Sequence, residues 1–359
     1  MNSKERVLAA IEHRAHDRLP VMYQGEPVVT ARLQEHFGVS DFVGVQECLG
    51  DDLRYVQPVW IGPQPQRFAD GTYQMGYPNR GWPMVGERTR DVPTPFGYHA
   101  EVVYRPFEQV TDPAELAGAW FPTADCFDYS TIKAQCLSWP DHTVVAGASG
   151  ILNFIIGLSY VRGLEQTLMD MATANPVLLY LLEIKQKFHL ETFERVLQAG
   201  DGLIDVVYCG EDLGTQNDLL ISPRTFERIL ALHFKAFFDM AHRYGARVMF
   251  HSCGSVRRLI PRLIELGVDI LQVVQTSAVG MDIRELRDEC GRKLTLCGSM
   301  DVQTILPYGS VEDVRREVAL RQELFAAGGL ILGPTHTIEP DTPLQNILAM
   351  YEAAGSLKR

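Results

Sequence analysis

No apolar run in the 359 residues approaches the ~18 needed to cross a bilayer. The one near the start, Val7-Leu8-Ala9-Ala10-Ile11, meets Glu12 and His13 too soon to serve as a secretory signal. Basic residues are in deficit: 33 Lys and Arg stand against 45 Asp and Glu, a net charge of −12. A nucleic-acid partner needs a basic face, and an anionic membrane surface favours one, so neither is expected. Cysteines are few, odd in number and widely scattered: Cys48, Cys126, Cys136, Cys209, Cys253, Cys290 and Cys297. Such spacing supports no disulfide framework and suits a reducing cytoplasm, where a few thiols are free to act as ligands and most pack as small hydrophobes. A G-x-G-x-x-G fingerprint after the first apolar run is missing, which counts against a doubly wound dinucleotide fold. Internal repeats and low-complexity segments are absent as well.

What remains is an ordinary globular composition, 46% hydrophobic and 22% charged, with enough apolar residues for a sizeable core. Eight β-branched or apolar runs recur along it: 19–23, 53–56, 143–147, 205–209, 247–251, 269–274, 294–297 and 329–333. Helical patterns separate most of them. Pro176 to Ala199 reads as one long helix, with proline at its start and Gly200 just past its end. Ser222-Pro223 opens another, and Ser310 and Thr342 are candidate N-caps. Eight strands alternating with helices predict an α/β chain folded as a (β/α)₈ TIM barrel, a single domain over 1–359. The alternation breaks between about 59 and 105, a stretch rich in Pro, Gly, Tyr and Trp. It reads as β-hairpin material inserted after the second strand, with Tyr73, Tyr77, Trp82 and Tyr98 either packed across strands or facing a flat ligand.

In such barrels the chemistry gathers at the C-terminal ends of the strands. The fifth run ends in His251-Ser252-Cys253-Gly254 and the eighth in Gly333-Pro334-Thr335-His336. Imidazole and thiolate together favour zinc over the hard cations, so His251, Cys253 and His336 form a candidate metal set, with Cys297, Cys209 or Glu211 as a substitute or a fourth donor. The alternative is that His251 is a hydrogen-bonded residue at a barrel mouth and Cys253 a small residue beside a turn. Glu211 and Asp212, adjacent at the end of the fourth run, are candidate acid/base groups or ligands, unless one caps a turn and the other is solvated. Asp52 faces the pocket only if the second run is shifted in register; otherwise it caps a loop. The remaining strand ends offer Tyr23, Asn153, Gln216 and Gln275 as candidate substrate contacts.

Several segments resemble the uroporphyrinogen decarboxylase-like superfamily, and more closely its methyltransferase-like branch. They are Lys4 to Ala10 through Asp17-Arg18-Leu19-Pro20-Val21, Asp212-Leu213-Gly214-Thr215-Gln216, His251-Ser252-Cys253-Gly254, and Ile338 to Ile347. The resemblance covers nearly the whole chain and implies a (β/α)₈ barrel. True decarboxylases of the superfamily hold an acidic tetrapyrrole with an arginine motif after the first strand; here that place reads Met22-Tyr23-Gln24-Gly25-Glu26, without arginine. The methyltransferase branch binds zinc through His-x-Cys and a later cysteine, and the zinc activates a thiol that takes a methyl group from a corrinoid protein. His251 and Cys253 match the first two ligands, while His336 stands where the later cysteine is expected.

The resemblance therefore implies a cytoplasmic zinc-dependent methyltransferase. It would move a methyl group between a corrinoid (cobalamin) protein, or a small methylated compound, and a thiol or other nucleophile. A symmetric homodimer would be in keeping with such a barrel. The alternative is a metal-free decarboxylase or lyase acting on a carboxylated ring, with Asp52, Asp212 and His336 stabilising charge. A third reading is a non-catalytic subunit that docks a corrinoid protein through the hairpin segment.

Overall fold

Leu53–Val56 (β1), Thr143–Leu152 (β2), Val206–Gly210 (β3), Arg247–His251 (β4), Ile270–Gln272 (β5), Thr295–Met300 (β6) and Leu330–Pro334 (β7) lie side by side in that order, every pair parallel. These seven strands form one α/β sheet in a computed structural model that describes residues 1–76, 82, 85–95 and 97–358. Seven of the eight expected runs are thus strands. The eighth, 19–23, forms no regular strand but sits between the two sheet edges. Leu332 N donates to Pro20 O and Met22 N to Leu332 O on one side, and Asp52 N donates to Val21 O on the other. Pro20 has no N–H of its own, which limits this segment to a short ladder.

Strand alternation sends successive side chains to opposite faces. One set, Leu53, Val145, Val206, Tyr208, Met249, Ile270, Cys297 and Ile331 with Met22, packs inside the curved sheet, and Val7 and Ile11 of the helix Ser3–Ile11 pack against it. The other set faces the surrounding helices. There Phe250 lies edge-on to Phe234 and Phe238, with ring centroids 5.2 and 5.8 Å away.

The long helix runs Pro176–Gly200 (α2 below), following a shorter one, Phe154–Arg162 (α1). Asn175 caps α2 by accepting from Val177 N, and Pro176 occupies the first turn where a missing N–H does no harm. Ser310 caps its helix as expected, through a reciprocal bond with Asp313. Thr342 does not: its helix starts at Leu344 behind Pro343, and Thr342 is buried. The helix expected from Ser222-Pro223 is two abutting helices, Pro223–Ile229 and Ala231–Arg243. Between β1 and β2, Arg88–Thr94 pairs antiparallel with Gly97–Tyr104. No described helix is long and apolar enough to cross a membrane.

Candidate active site

His251 is the last residue of β4, and alternation decides where it points. Val248 and Phe250 face the helices; Met249, and therefore His251, face the interior. Cys253 follows two residues later, where the chain has left the strand. From the neighbouring β3 end comes Asp212. The close approach of these two strand ends depends on Gly210, where an added Cβ would lie 2.5 Å from His251 Cβ and 2.6 Å from Ser149 O.

Cys253 Sγ lies 3.3 Å from His251 Nε2, and His251 Nε2 lies 3.4 Å from Asp212 Oδ1. Among the described residues, Asp212, His251 and Cys253 form the one group of metal-type donors whose ligand atoms all fall within 4.8 Å of one another. Zinc bonds of ~2.0–2.3 Å in a tetrahedron place neighbouring donors about 3.3–3.8 Å apart. The two shortest separations match that spacing, and the donor set of one oxygen, one nitrogen and one sulfur suits zinc.

His251 is aimed by a chain of side chains. Its Nδ1 lies against Gln272 Oε1, which also accepts from Tyr208 OH at 2.7 Å. Gln272 Nε2 donates to Gln24 Oε1, and Gln24 Nε2 donates to Thr337 Oγ1. With Gln272 Oε1 held as an acceptor, Nδ1 must carry the hydrogen. Nε2 is then the nitrogen turned toward Cys253 and Asp212, the arrangement that orients a metal-binding imidazole. Asp212 Oδ1 also accepts from Cys253 N at 3.0 Å, tying the two loops together.

Charge is concentrated at this corner. Burial alone would push the His251 pKa down, but its hydrogen bonds to Asp212 and Cys253 and their charges raise it well above the ordinary histidine value. Burial likewise opposes ionisation of Asp212, yet His251 and the Cys253 N–H hold its carboxyl below the usual range. A positive charge between the carboxylate and the sulfur is therefore strongly favoured. In the absence of metal a proton on His251 meets that demand.

A cavity of about 310 Å³ opens beside the cluster, at the small end of the range for ligand sites. Asp212, His251 and His336 line one wall; Asn153, Tyr160 and Lys185 line another, and Trp82 contributes from the β1–β2 connection. The His336 ring centre is 6.3 Å from that of His251. Burial, and then the charge of His251, lower its pKa, so it stands as a neutral imidazole. The two histidines thus share one cavity, but Asp212 rather than His336 completes the close donor group.

The other expected positions divide. Asn153 lines the cavity and begins α1 in a left-handed conformation, φ 33°, directly after Leu152 at φ 71°. Asparagine tolerates that region better than most residues, and two such residues in succession mark a strained bend at the cavity wall. Glu211 does not face the metal donors: its carboxylate accepts from Ile155 N at 2.6 Å, so it caps α1. Gln275 accepts from Gly254 N and donates to Gln216, which donates in turn to Ser277 O. This pair braces the loops, and neither residue lines the main cavity.

Asp52 is a correction. It precedes β1, and in a parallel sheet the residue before a strand lies at the mouth opposite the residues that follow a strand. There it is fully buried between Arg6 and Arg18 and accepts from Val21 N. Tyr23 is another correction, because alternation turns it outward: Met22 faces the interior, while Tyr23 bonds Thr30 and packs beside Phe42. Cys209 faces the helices for the same reason, and Cys297 lies deeper in the interior against Met22. Neither can join the cluster. Of the aromatics, Trp82 lines the cavity, Tyr73 bridges to Thr89, Tyr98 is exposed, and Tyr77 lies outside the described residues.

Sequence reasoning missed Lys185, which is 1% exposed and lines the cavity from α2. A signal was present. Leu178, Leu181, Leu182, Lys185, His189 and Thr192 fall on one helical stripe, and a lysine on an otherwise buried face calls for a reason. Gln24 and Gln272 were missed because nothing in their local sequence links them to His251.

The profile of the family described as Uroporphyrinogen decarboxylase (URO-D) matches residues 151–357. A methylated-thiol–coenzyme M methyltransferase of Methanosarcina mazei is 27% identical over 135 residues. That match covers 37% of this chain and 34% of the relative, so it spans about a third of the relative's length. The solved structure of a methyltransferase from Methanosarcina mazei superposes with a TM-score of 0.68 at 18% identity, covering 99% of this chain and 98% of the other, and so shares the fold. With more than half of its length matched by the profile, the chain belongs to the uroporphyrinogen decarboxylase (URO-D) family.

Proposed function

We propose that this protein is a zinc-dependent methyltransferase that moves a methyl group between a corrinoid protein, or a small methylated compound, and a thiol. The observation that carries this reading is the Asp212–His251–Cys253 donor group, of which Asp212 and His251 line the cavity. These three residues would hold the ion. A carboxylate and a thiolate together cancel the two charges of Zn²⁺, a balance that two histidines and one thiolate lack. Zinc so held would lower the pKa of a substrate thiol and keep it nucleophilic at neutral pH.

The chain's own residues do the rest. Gln272 and Tyr208 fix the imidazole of His251, and Asp212 locks the Cys253 loop through its backbone N–H. His336, neutral and in the same cavity, offers a ring nitrogen to accept the thiol proton. Trp82 and Tyr160 narrow the cavity against water. The finer architecture belongs to the same proposal: one domain, a closed eight-stranded barrel completed by 19–23, a hairpin insertion that covers the site and meets a corrinoid partner, and a homodimer. The relative's name, a methyltransferase for methylated thiols, points the same way.

A decarboxylase acting on an acidic tetrapyrrole fits less well. The cavity is small, no arginine is among its described lining residues, and Asp52 stands at the far mouth. The test is elemental analysis of the purified protein together with thiol methylation from methylcobalamin. About one zinc per chain, and turnover lost in Cys253→Ala, are expected. Metal-free protein with Cys253→Ala fully active would sink the reading.

A further inference from the structure

The antiparallel pair between β1 and β2, Arg88–Thr94 with Gly97–Tyr104, has one closed edge and one open edge. On the closed side Tyr73 N donates to Thr89 O at 2.9 Å and Thr89 N donates to Tyr73 O at 2.8 Å. A residue's N–H and C=O leave an antiparallel strand on the same side, and that side alternates along it. Asp91 and Pro93 therefore also turn away from Gly97–Tyr104, and Pro93 has no N–H to leave unpaired there. Arg90, Val92 and Thr94 turn toward it and meet Glu101, His99 and Gly97. By the same alternation Tyr98, Ala100 and Val102 present N–H and C=O at the outer edge, where nothing among the described residues pairs with them. An open edge is a template for another strand, and proteins blunt it with Lys, Pro or a bulge. Gly97–Tyr104 contains neither Lys nor Pro, and its register shifts only at the far end, beside Arg88 and Thr89. Tyr98 is 77% exposed and Tyr104 51%.

We propose that this edge takes the same strand of a second copy of the chain, antiparallel about a two-fold axis through Ala100. Two-fold pairing joins outward-facing residues to outward-facing residues, which fixes the register. Ala100 meets its own counterpart and Tyr98 meets the partner's Val102 on either side, an exchange of about six N–H···O bonds at two per pair. Tyr98 with Val102 is an aromatic and β-branched pair, a combination that stabilises sheets. His99 then falls opposite the partner's Glu101, in the closer positions between the hydrogen-bonded pairs, and this contact is made twice. Arg90, opposite Glu101 within its own hairpin, is the other charged group on that face. The neighbouring registers are worse. Glu101 on the axis sets two carboxylates face to face, His99 on the axis sets two imidazoles face to face, and Val102 on the axis carries the pairing across the register shift. Each copy has one such edge, so the assembly closes at two. The inference gives the proposed homodimer a surface; it rests on that reading only for the presence of two copies, and not on the zinc chemistry.

The test is sedimentation equilibrium of the full-length protein, as wild type, Ala100→Pro, His99→Glu and His99→Lys, with amide hydrogen exchange read over the hairpin. Wild type should dimerise with a Kd of about micromolar size, and the amides of Tyr98, Ala100 and Val102 should exchange slowly in the dimer. Ala100→Pro removes the donor on the axis from both copies and spares the bonds to Arg88–Thr94, so the dimer should weaken about a hundredfold or more. His99→Glu sets like charges opposite each other twice and should weaken it about tenfold or more, while His99→Lys should hold or tighten it. Within its own hairpin residue 99 faces Val92, so neither change at 99 meets a charge directly opposite on Arg88–Thr94. A wild-type dimer that ignores Ala100→Pro, or responds alike to His99→Glu and His99→Lys, would overturn this interface and leave the homodimer to another surface. Wild type that stays monomeric up to about 100 μM would overturn the interface and the homodimer together, and free the edge for a strand of a different protein.

Discussion

Replacing Asp212 by asparagine separates two accounts of the metal site that differ by one ligand. Asparagine keeps an oxygen to accept from Cys253 N, so the loop contact at 3.0 Å survives while the charge and the ligating carboxylate are lost. Complete zinc sites bind with about 10–16 kcal/mol. Divided among three or four ligands, that is about 3–4 kcal/mol each, or roughly 200- to 1,000-fold in affinity. His336, with its ring centre 6.3 Å from that of His251, is outside the close donor group and should act as a neighbour, changing affinity within about tenfold. The assay is competition for zinc against a chromogenic chelator, run on wild type, Asp212→Asn, His336→Ala and His251→Ala. The expected order of loss is His251→Ala and Asp212→Asn both large, His336→Ala small. If Asp212→Asn stays within tenfold of wild type while His336→Ala falls more than a hundredfold, the argument from donor spacing is wrong and the ligands are His251, Cys253 and His336.

Asp52→Ala should lower the urea midpoint by removing the buried carboxylate that Arg6 and Arg18 share, by about 1–3 kcal/mol since Arg6 keeps Asp17 and Arg18 keeps Leu19 O and Gly50 O, while KM in the folded fraction stays put; a large KM change would return Asp52 to the substrate site. Burial holds Glu211 up to about 8, above its ordinary 4.5. A raised carboxyl favours folding below its ordinary pKa and loses that contribution as pH climbs through the folded value. Wild type should therefore fall behind Glu211→Gln between pH 5 and pH 8 by up to roughly 1.4 kcal/mol per unit, and parallel urea stability profiles over that range would count against a buried, neutral Glu211.

Much of the frame was legible along the chain. Runs of β-branched residues announced seven strands because a buried parallel strand needs apolar side chains on both faces. Pro176 marked the start of α2 because its missing N–H suits a first turn, while the left-handed position at the other end falls on Asp201, one residue past Gly200. His251 and Cys253 were legible for a similar reason: two positions apart at the end of a strand, they are neighbours wherever that strand lies. The run at 19–23 was harder, since Pro20 weakens its ladder and only the two flanking edges give it a place.

Composition and short-range pattern thus determined the α/β class, the strand order in sequence, and one pair of donors. Tertiary structure alone decided the third donor, because the distance from Asp212 to His251 is set by how closely β3 and β4 approach across Gly210, and no spacing along the chain encodes it. It also decided which mouth Asp52 occupies, which way Tyr23 turns, and that a lysine buried in the middle of a helix opens onto the same cavity as the histidines. Each of these depends on side chains brought together from distant segments by parallel packing, where a shift of one residue along a strand reverses the face on which a group appears.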